Sequence, residues 1–199
     1  FVIWDKNKQE LFGARDHFGI KPFYYAKMNG TFMYASEIKS LLRHPDFVKE
    51  LNAEALKPYM TFQYPAIGET FFKGVYKLPE GHYFTYRDGK MDIHRYYDED
   101  FREGKQKLGE LVNSIDQTVC DSVKAHQIAD VEVGSFLSSG VDSSYVAAVA
   151  RPQHTYSIGF GKGTYNESQQ AGELAELLKL NNTAESLTDE EAFAAFPRI

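Results

Sequence analysis

Between Asp98 and Lys107 the chain reads DEDFREGKQK, a charged stretch with a single bulky apolar residue. On either side of it the sequence follows different rules. Before it come short β-prone runs rich in aromatics and separated by tight-turn residues. After it come helical and strand patterns in alternation. A chain of 199 residues with such a break is expected to fold as two bodies. The reading places a first domain at 1–97, a linker at 98–104 and a second domain at 105–199. The fold class expected is α+β followed by α/β.

The runs FVIWD and ELFGAR, joined by KNKQ, read as a hairpin, and KPFYYA and GTFMYA repeat the theme around Asn29-Gly30. These short strands suggest an antiparallel sheet. SEIKSLLRHP reads as a short helix capped by Ser36, and LNAEALKPYM as another capped by Asn52, with Pro58 obscuring its end. Pro-Glu-Gly and Asp-Gly turns then punctuate further aromatic strands, whose rings are expected to pack in a core or an interface. Past the linker, a long helix is predicted from about Lys105 to Val123. A buried strand follows through Val131, Val133 and Phe136-Leu137, and a helix opens at YVAAVA. HTYSIGF is a second strand, and NESQQAGELAELLKL a helix with Ala171, Leu174, Ala175 and Leu178 on one face. Such alternation predicts a parallel sheet.

Charge bears on partners. With 22 basic and 28 acidic residues the formal net charge is -6, which gives no footprint for nucleic acid or a membrane surface, while a local basic pocket for phosphate stays open. No apolar run reaches the roughly 20 residues that span a bilayer, and no signal peptide is visible. Cys120 is the one cysteine, which excludes an internal disulfide framework and fits a reducing, cytoplasmic setting. It lies in a helical pattern, so it reads as a helix residue near a core.

The strand that ends at Phe136-Leu137 runs into SSGVDSS and re-enters a helix. A helix N-terminus presents free N–H groups and about half a positive charge, a natural place for an anion. Gly140 permits close approach or an unusual backbone, and Ser138, Ser139, Ser143 and Ser144 offer hydroxyl donors. Asp142 repels a bare phosphate. It fits if Mg²⁺ bridges it to phosphate oxygens, or it caps the helix and does nothing more. A plain serine-rich turn remains open beside the phosphate reading. The stretch is neither a Walker loop nor a dinucleotide fingerprint. GFGKGTYNE reads as a loop with a nucleotide contact held open.

FLSSGVDSS resembles the pyrophosphate loop of ATP pyrophosphatases, S-G-G-x-D-S. GARDHFGIKPFYYA, YASEIKSLL, KLPEGHYF, RYYD, DSVKAHQIADVEVGSFLSSGVDSS, YSIGF and YNESQQA follow one another as in glutamine-hydrolysing asparagine synthetases of the asparagine synthase B type. That resemblance implies the distal part of an N-terminal-nucleophile amidotransferase sandwich followed by the proximal part of an adenine-nucleotide-hydrolase-like synthetase domain. It implies ATP and Mg²⁺, with aspartate, glutamine and ammonia as the parent enzyme's reactants and a β-aspartyl-AMP-like intermediate. It further implies that Ser138, Gly140, Asp142, Ser143 and Ser144 cradle pyrophosphate, with Asp142 on the metal. Phe136 and Leu137 would lie near adenosine, and Ile158 in the adenine pocket; simple strand-core roles stay open for all three.

The sequence departs from that family in places. Ser139 replaces the middle glycine, which is tolerable if the position does not need a positive φ. KLNNTAES lacks the glycine and histidine common there. The family's glutaminase nucleophile is an N-terminal cysteine, whereas residue 1 is Phe1, so the chain reads as a fragment, truncated at both ends and catalytically incomplete. Arg15 and Asp16 read as a structural pair, His17 as a packing residue, and Glu37 as fixing a helix to the sheet or the other domain. Lys162 and Lys179 read as surface lysines. Two alternatives are an amidotransferase acting on another carboxylate and a non-catalytic structural fragment. A homodimer formed through an uncovered apolar patch also stays open.

Overall fold

The computed structural model describes residues 1–64, 66–160 and 167–198, and the chain divides into two compact units, Phe1–Arg102 and Glu103–Ile199. Most of GFGKGTYNE, including Lys162, lies outside the described residues.

In the first unit, strands β1 (Val2–Asp5) and β2 (Glu10–Ala14) form one antiparallel hairpin, and β3 (Tyr24–Met28) and β4 (Thr31–Ala35) form another. Asn29 and Gly30 both have positive φ, 50° and 84°, the left-handed pair of a tight hairpin turn. The two hairpins do not share a sheet, contrary to the single sheet the sequence suggests. After β5 (Val75–Lys77), β6 (His82–Arg87) and β7 (Lys90–Arg95), the orders are β1-β2-β6-β7 and β4-β3-β5.

The chain changes sheets between Ala14 and Phe23, and that crossing is held by side-chain-to-backbone bonds. Buried Arg15 donates from Nε to Lys21 O at 2.9 Å, from Nη1 to Leu78 O at 2.7 Å and from Nη2 to Gly19 O at 2.5 Å. The Asp16 carboxylate accepts from the Ile20 and Lys21 N–H groups at 2.8 and 3.1 Å. Arg15 and Asp16 therefore each brace the same loop; the carboxylate nearest Arg15 is Glu80, at 3.9 Å. His17 packs its ring against Tyr97 at 4.3 Å.

The two sheets meet through rings. Phe32 stacks on Tyr86 at 4.2 Å, and fully buried Phe84 packs with Phe23 and Leu78. Phe84 pairs with Gly13 in the neighbouring strand, and a Cβ on Gly13 would fall 2.3 Å from the Phe84 ring. Only glycine leaves that ring its place. On the other face of β4-β3-β5, Ala26, Met28, Met33 and Val75 pack against Leu41 of helix α1 (Ile38–Leu41). The cap of α1 is Glu37, not Ser36, and Glu37 pairs with Lys39 at the surface at 2.8 Å instead of tying the helix to the sheet. Asn52 does cap, accepting from Glu54 N at the start of a single 3-10 turn, Ala53–Ala55. Helix α2 (Leu56–Phe62) follows, and Pro58 lies in its first turn, where a missing N–H costs no helical bond.

The second unit opens with α3 (Leu108–His126), whose Glu110 carboxylate accepts from Lys107 N. β8 (Ser135–Phe136), α4 (Val141–Ala150), β9 (His154–Phe160), α5 (Ser168–Leu178), β10 (Asn181–Leu187) and α6 (Asp189–Ala195) follow. The sheet order is β10-β9-β8, all parallel, as the alternation predicts. Helices α4 and α5 cover one face through Ala147, Ala171 and Ala175, whose small side chains pack on Leu137. Along β9, residues alternate buried and exposed without a break. The predicted buried strand from Val131 is much shorter than expected. β8 is an edge strand whose ladder covers only Ser135 and Phe136, and Val131 is exposed.

Candidate functional site

The stretch from Phe136 to Ser144 lies where a parallel strand gives way to a helix. Leu137, 2% exposed, packs its side chain in the α4–α5 core and donates its N–H to Tyr156 O at 2.8 Å. Its side chain therefore faces away from any ligand on the open sheet face. Gly140 is the cap of α4, with φ −69° and ψ 148°, a conformation open to any residue. Space there is tight: a Cβ would lie 3.2 Å from Ser138 Oγ and would press on that hydroxyl. Ser139 is not among the residues with positive φ, so the side chain at that position causes no backbone strain.

Within the loop the hydroxyls bind the loop's own atoms. Ser138 Oγ and Ser143 Oγ lie 2.8 Å apart, Ser138 Oγ accepts from Gly140 N at 3.2 Å, and Ser144 Oγ donates to Gly140 O at 2.7 Å. Three of the four serines thus shape the loop before any ligand arrives. Among the described residues, neither the Ser139 hydroxyl nor the Asp142 carboxylate has a hydrogen-bond partner, and both residues are exposed. Asp142 falls inside the first turn of α4, past the cap, which removes the capping role left open for it. The N–H groups of Val141, Asp142 and Ser143 precede the first residue able to bond a helical carbonyl, Ser144, whose N–H reaches Gly140 O. They form an anion-directed set, with the Asp142 carboxylate beside them.

The helix behind the loop is anchored. The Tyr145 hydroxyl donates to Asp116 of α3, and this bond pushes the phenol up to about 12. Gln127 Nε2 donates to Ala150 O at 2.6 Å.

On the open face of the sheet, a cleft of about 500 Å³ is lined by Phe136, Tyr156, Ile158, Thr183, Glu185 and Leu187, and buried Ser157 borders it only between Tyr156 and Ile158. The structure brings Phe136 and Ile158 to one cleft and leaves Leu137 out of it. Phe136 is 78% exposed, so it is not a core residue. Tyr156, Thr183 and Leu187 are absent from the sequence-derived set. The alternation of HTYSIGF was the available signal for Tyr156, since it shares a face with Ile158.

Two groups elsewhere are committed to structure. Arg15 borders a cleft of about 230 Å³, but its guanidinium is bound to three carbonyls. Cys120 lies within α3, partly buried. Among the described residues no cluster of three or more His, Cys, Asp or Glu side chains could hold a metal by itself. No helix there is long and apolar enough to cross a membrane.

Residues 1–97 match the family described as Glutamine amidotransferase domain, and residues 114–199 match the one described as Asparagine synthase. The whole chain is 38% identical to asparagine synthetase (glutamine-hydrolyzing) 1 of Bacillus subtilis, covering 32% of that protein. It is 34% identical to a putative asparagine synthetase (glutamine-hydrolyzing) of Mycobacterium tuberculosis, again over its full length and 32% of the relative. Over 75% of the chain it is 34% identical to Amidase chry2 of Gibberella zeae, covering 22% of that protein. The chain spans about a third or less of the length of these curated relatives.

Proposed function

The chain belongs to the glutamine-hydrolysing asparagine synthetase family, and from that premise we propose that its second unit carries the pyrophosphate cradle of an ATP-dependent, aspartate-amidating enzyme. In this reading the first unit is the distal part of an amidotransferase sandwich and the second the proximal part of an ATP pyrophosphatase domain. The parent enzyme takes ammonia from glutamine and activates the aspartate side chain as a β-aspartyl-AMP-like species, releasing pyrophosphate. Amide formation is thereby split into activation and attack.

The observation that carries the proposal is the strand–loop–helix junction. The open N–H groups of Val141, Asp142 and Ser143 receive phosphate oxygens, and the α4 dipole favours their charge. Ser138, Ser143 and Ser144 keep the loop in shape through bonds that already exist, and Ser139 adds a free hydroxyl. Gly140 leaves the space a Cβ would fill, so the residues present fit a phosphate group. Mg²⁺ would supply charge neutralisation between phosphate oxygens and carboxylate, and Asp142 is the residue to hold it. Phe136 and Ile158 give the neighbouring cleft apolar walls for the base, while Leu137 acts through the core. Glutamine hydrolysis is assigned to no residue of this chain, because its one cysteine lies in α3.

An acceptor other than aspartate is the second reading, supported by similarity to a relative named as an amidase. Acceptor-dependent pyrophosphate release by the full-length protein separates the two. For the cradle, calorimetric titration of the chain with ATP should show binding that requires Mg²⁺ and falls at least tenfold in Asp142→Ala. Binding unchanged by both Mg²⁺ removal and the substitution would overturn the assignment.

A further inference from the structure

The helix-covered face of β9 carries two buried hydroxyls, Thr155 and Ser157. Ser157 Oγ lies 2.8 Å from Leu137 O and 3.1 Å from Asn182 Oδ1. Thr155 Oγ1 lies 3.1 Å from Asn181 O and 2.9 Å from Asn182 Oδ1. Each hydroxyl has one proton, so an oxygen at the Asn182 position makes two acceptors compete for each proton. Turning that amide places Nδ2 there instead. Its two N–H bonds then reach one hydroxyl each, and both hydroxyl protons are free for the carbonyls of Leu137 and Asn181. All the contacts in the cluster then pair a donor with an acceptor, as buried polar groups require.

Leu137 is the residue on which the loop hangs. The β8–β9 ladder ends at the pair Phe136 and Tyr156. Beyond it, Leu137 gives its N–H to Tyr156 O and receives the Ser157 hydroxyl on its carbonyl, each at 2.8 Å. Successive residues of β9 thus grip both ends of the last residue before Ser138. One grip is a backbone bond that any sequence makes; the other depends on a side chain.

We propose that Ser157 is a positioning residue for the Ser138–Ser144 loop, acting through the Leu137 carbonyl, with the Asn182 amide fixing the direction of its hydroxyl. The effect on the loop stands on this geometry alone; the effect on binding rests on the cradle reading above.

Amide hydrogen exchange of the ligand-free 199-residue chain tests it, comparing wild type with Ser157→Ala, Ser157→Thr and Asn182→Asp. Ser157→Ala should speed exchange at Leu137, Ser138, Gly140 and Ser144 about tenfold more than at Ala171 and Leu180, since one buried bond is lost. Ser157→Thr keeps the hydroxyl and should restore most of the protection. Asn182→Asp can only accept, so it should behave like Ser157→Ala. Titration with inorganic pyrophosphate and Mg²⁺ should then show about tenfold weaker binding to Ser157→Ala than to wild type. Loop exchange in Ser157→Ala equal to wild type, or raised equally throughout the unit, would overturn the positioning role. An Asn182→Asp loop as protected as wild type would overturn the part given to the amide. Wild type that fails to bind pyrophosphate would refute the cradle, and the exchange pattern would still decide the role of Ser157.

Discussion

In the first unit the large rings meet in the middle: Phe84, Phe23, Phe32 and Tyr86 fill the space between two antiparallel sheets. In the second the middle is built from Ala147, Ala171, Ala175 and Leu137, while Tyr156, Ile158 and Phe160 of β9 stand on the other face, about half exposed. Small residues let α4 and α5 lie close to the sheet, so the covered face needs no rings. The rings of the open face are then available to line a cleft. Polar groups follow the same division. Arg15 and Asp16 of the first unit are consumed by backbone partners, whereas Ser139 and Asp142 of the second are left without any among the described residues. Bulk and hydrogen bonds are thus committed around Arg15 and Asp16 and left open around Ser139 and Asp142.

The largest effect should come from Gly13→Ala, which drives a Cβ into the Phe84 ring and should destabilise the first unit by about 1–3 kcal/mol. Trp4, the single tryptophan, lies in the same sheet, so denaturant unfolding followed by its fluorescence reads this directly. An unchanged midpoint would show that the ring contact is not what fixes the two sheets. A smaller effect, of opposite sign, is expected at Lys179. It ends α5 with φ 56° and ψ 43°, so Lys179→Gly should stabilise the chain by about 1 kcal/mol, raising Tm by about 2–4 °C. A fall in Tm would mean that the lysine side chain matters more than its backbone strain.

The smallest effect is a titration. Hydrogen bonds from the Ile20 and Lys21 N–H groups hold the Asp16 carboxyl below the ordinary aspartate value. Such a group adds stability above its unfolded pKa and loses it as pH falls through the folded one. The Ile20 and Lys21 amide resonances should therefore follow an acid transition with a midpoint below that of a free aspartate. A midpoint at or above the free value would remove Asp16 from the braces of the crossing.

Local patterns in the sequence announced most elements. Asn29-Gly30 fixes its hairpin through left-handed backbone, and the apolar face of α5 shows in Ala171 and Ala175. What escaped reading was non-local. The second partner of β2 is β6, far along the chain, so nothing near the first two hairpins tells that they part into separate sheets. Ser36 looked like a cap, but the helix begins two residues later. Val131 and Phe136 looked buried because apolar type was taken for burial, while an edge strand leaves such side chains outside. At the loop, residue types suggested an anion site, yet not that Ser138 and Ser143 bind each other and Ser144 binds the Gly140 carbonyl. The Thr155–Ser157–Asn182 cluster depends on strand register, which the sequence does not print.

The most direct test of the cradle is a site-resolved one. Backbone amide resonances of the chain are followed while ATP is added in the presence of Mg²⁺. The account expects the largest shifts at Ser139, Val141, Asp142 and Ser143, with smaller shifts at Phe136 and Ile158. Shifts centred elsewhere, with those four amides unmoved at saturation, would contradict it.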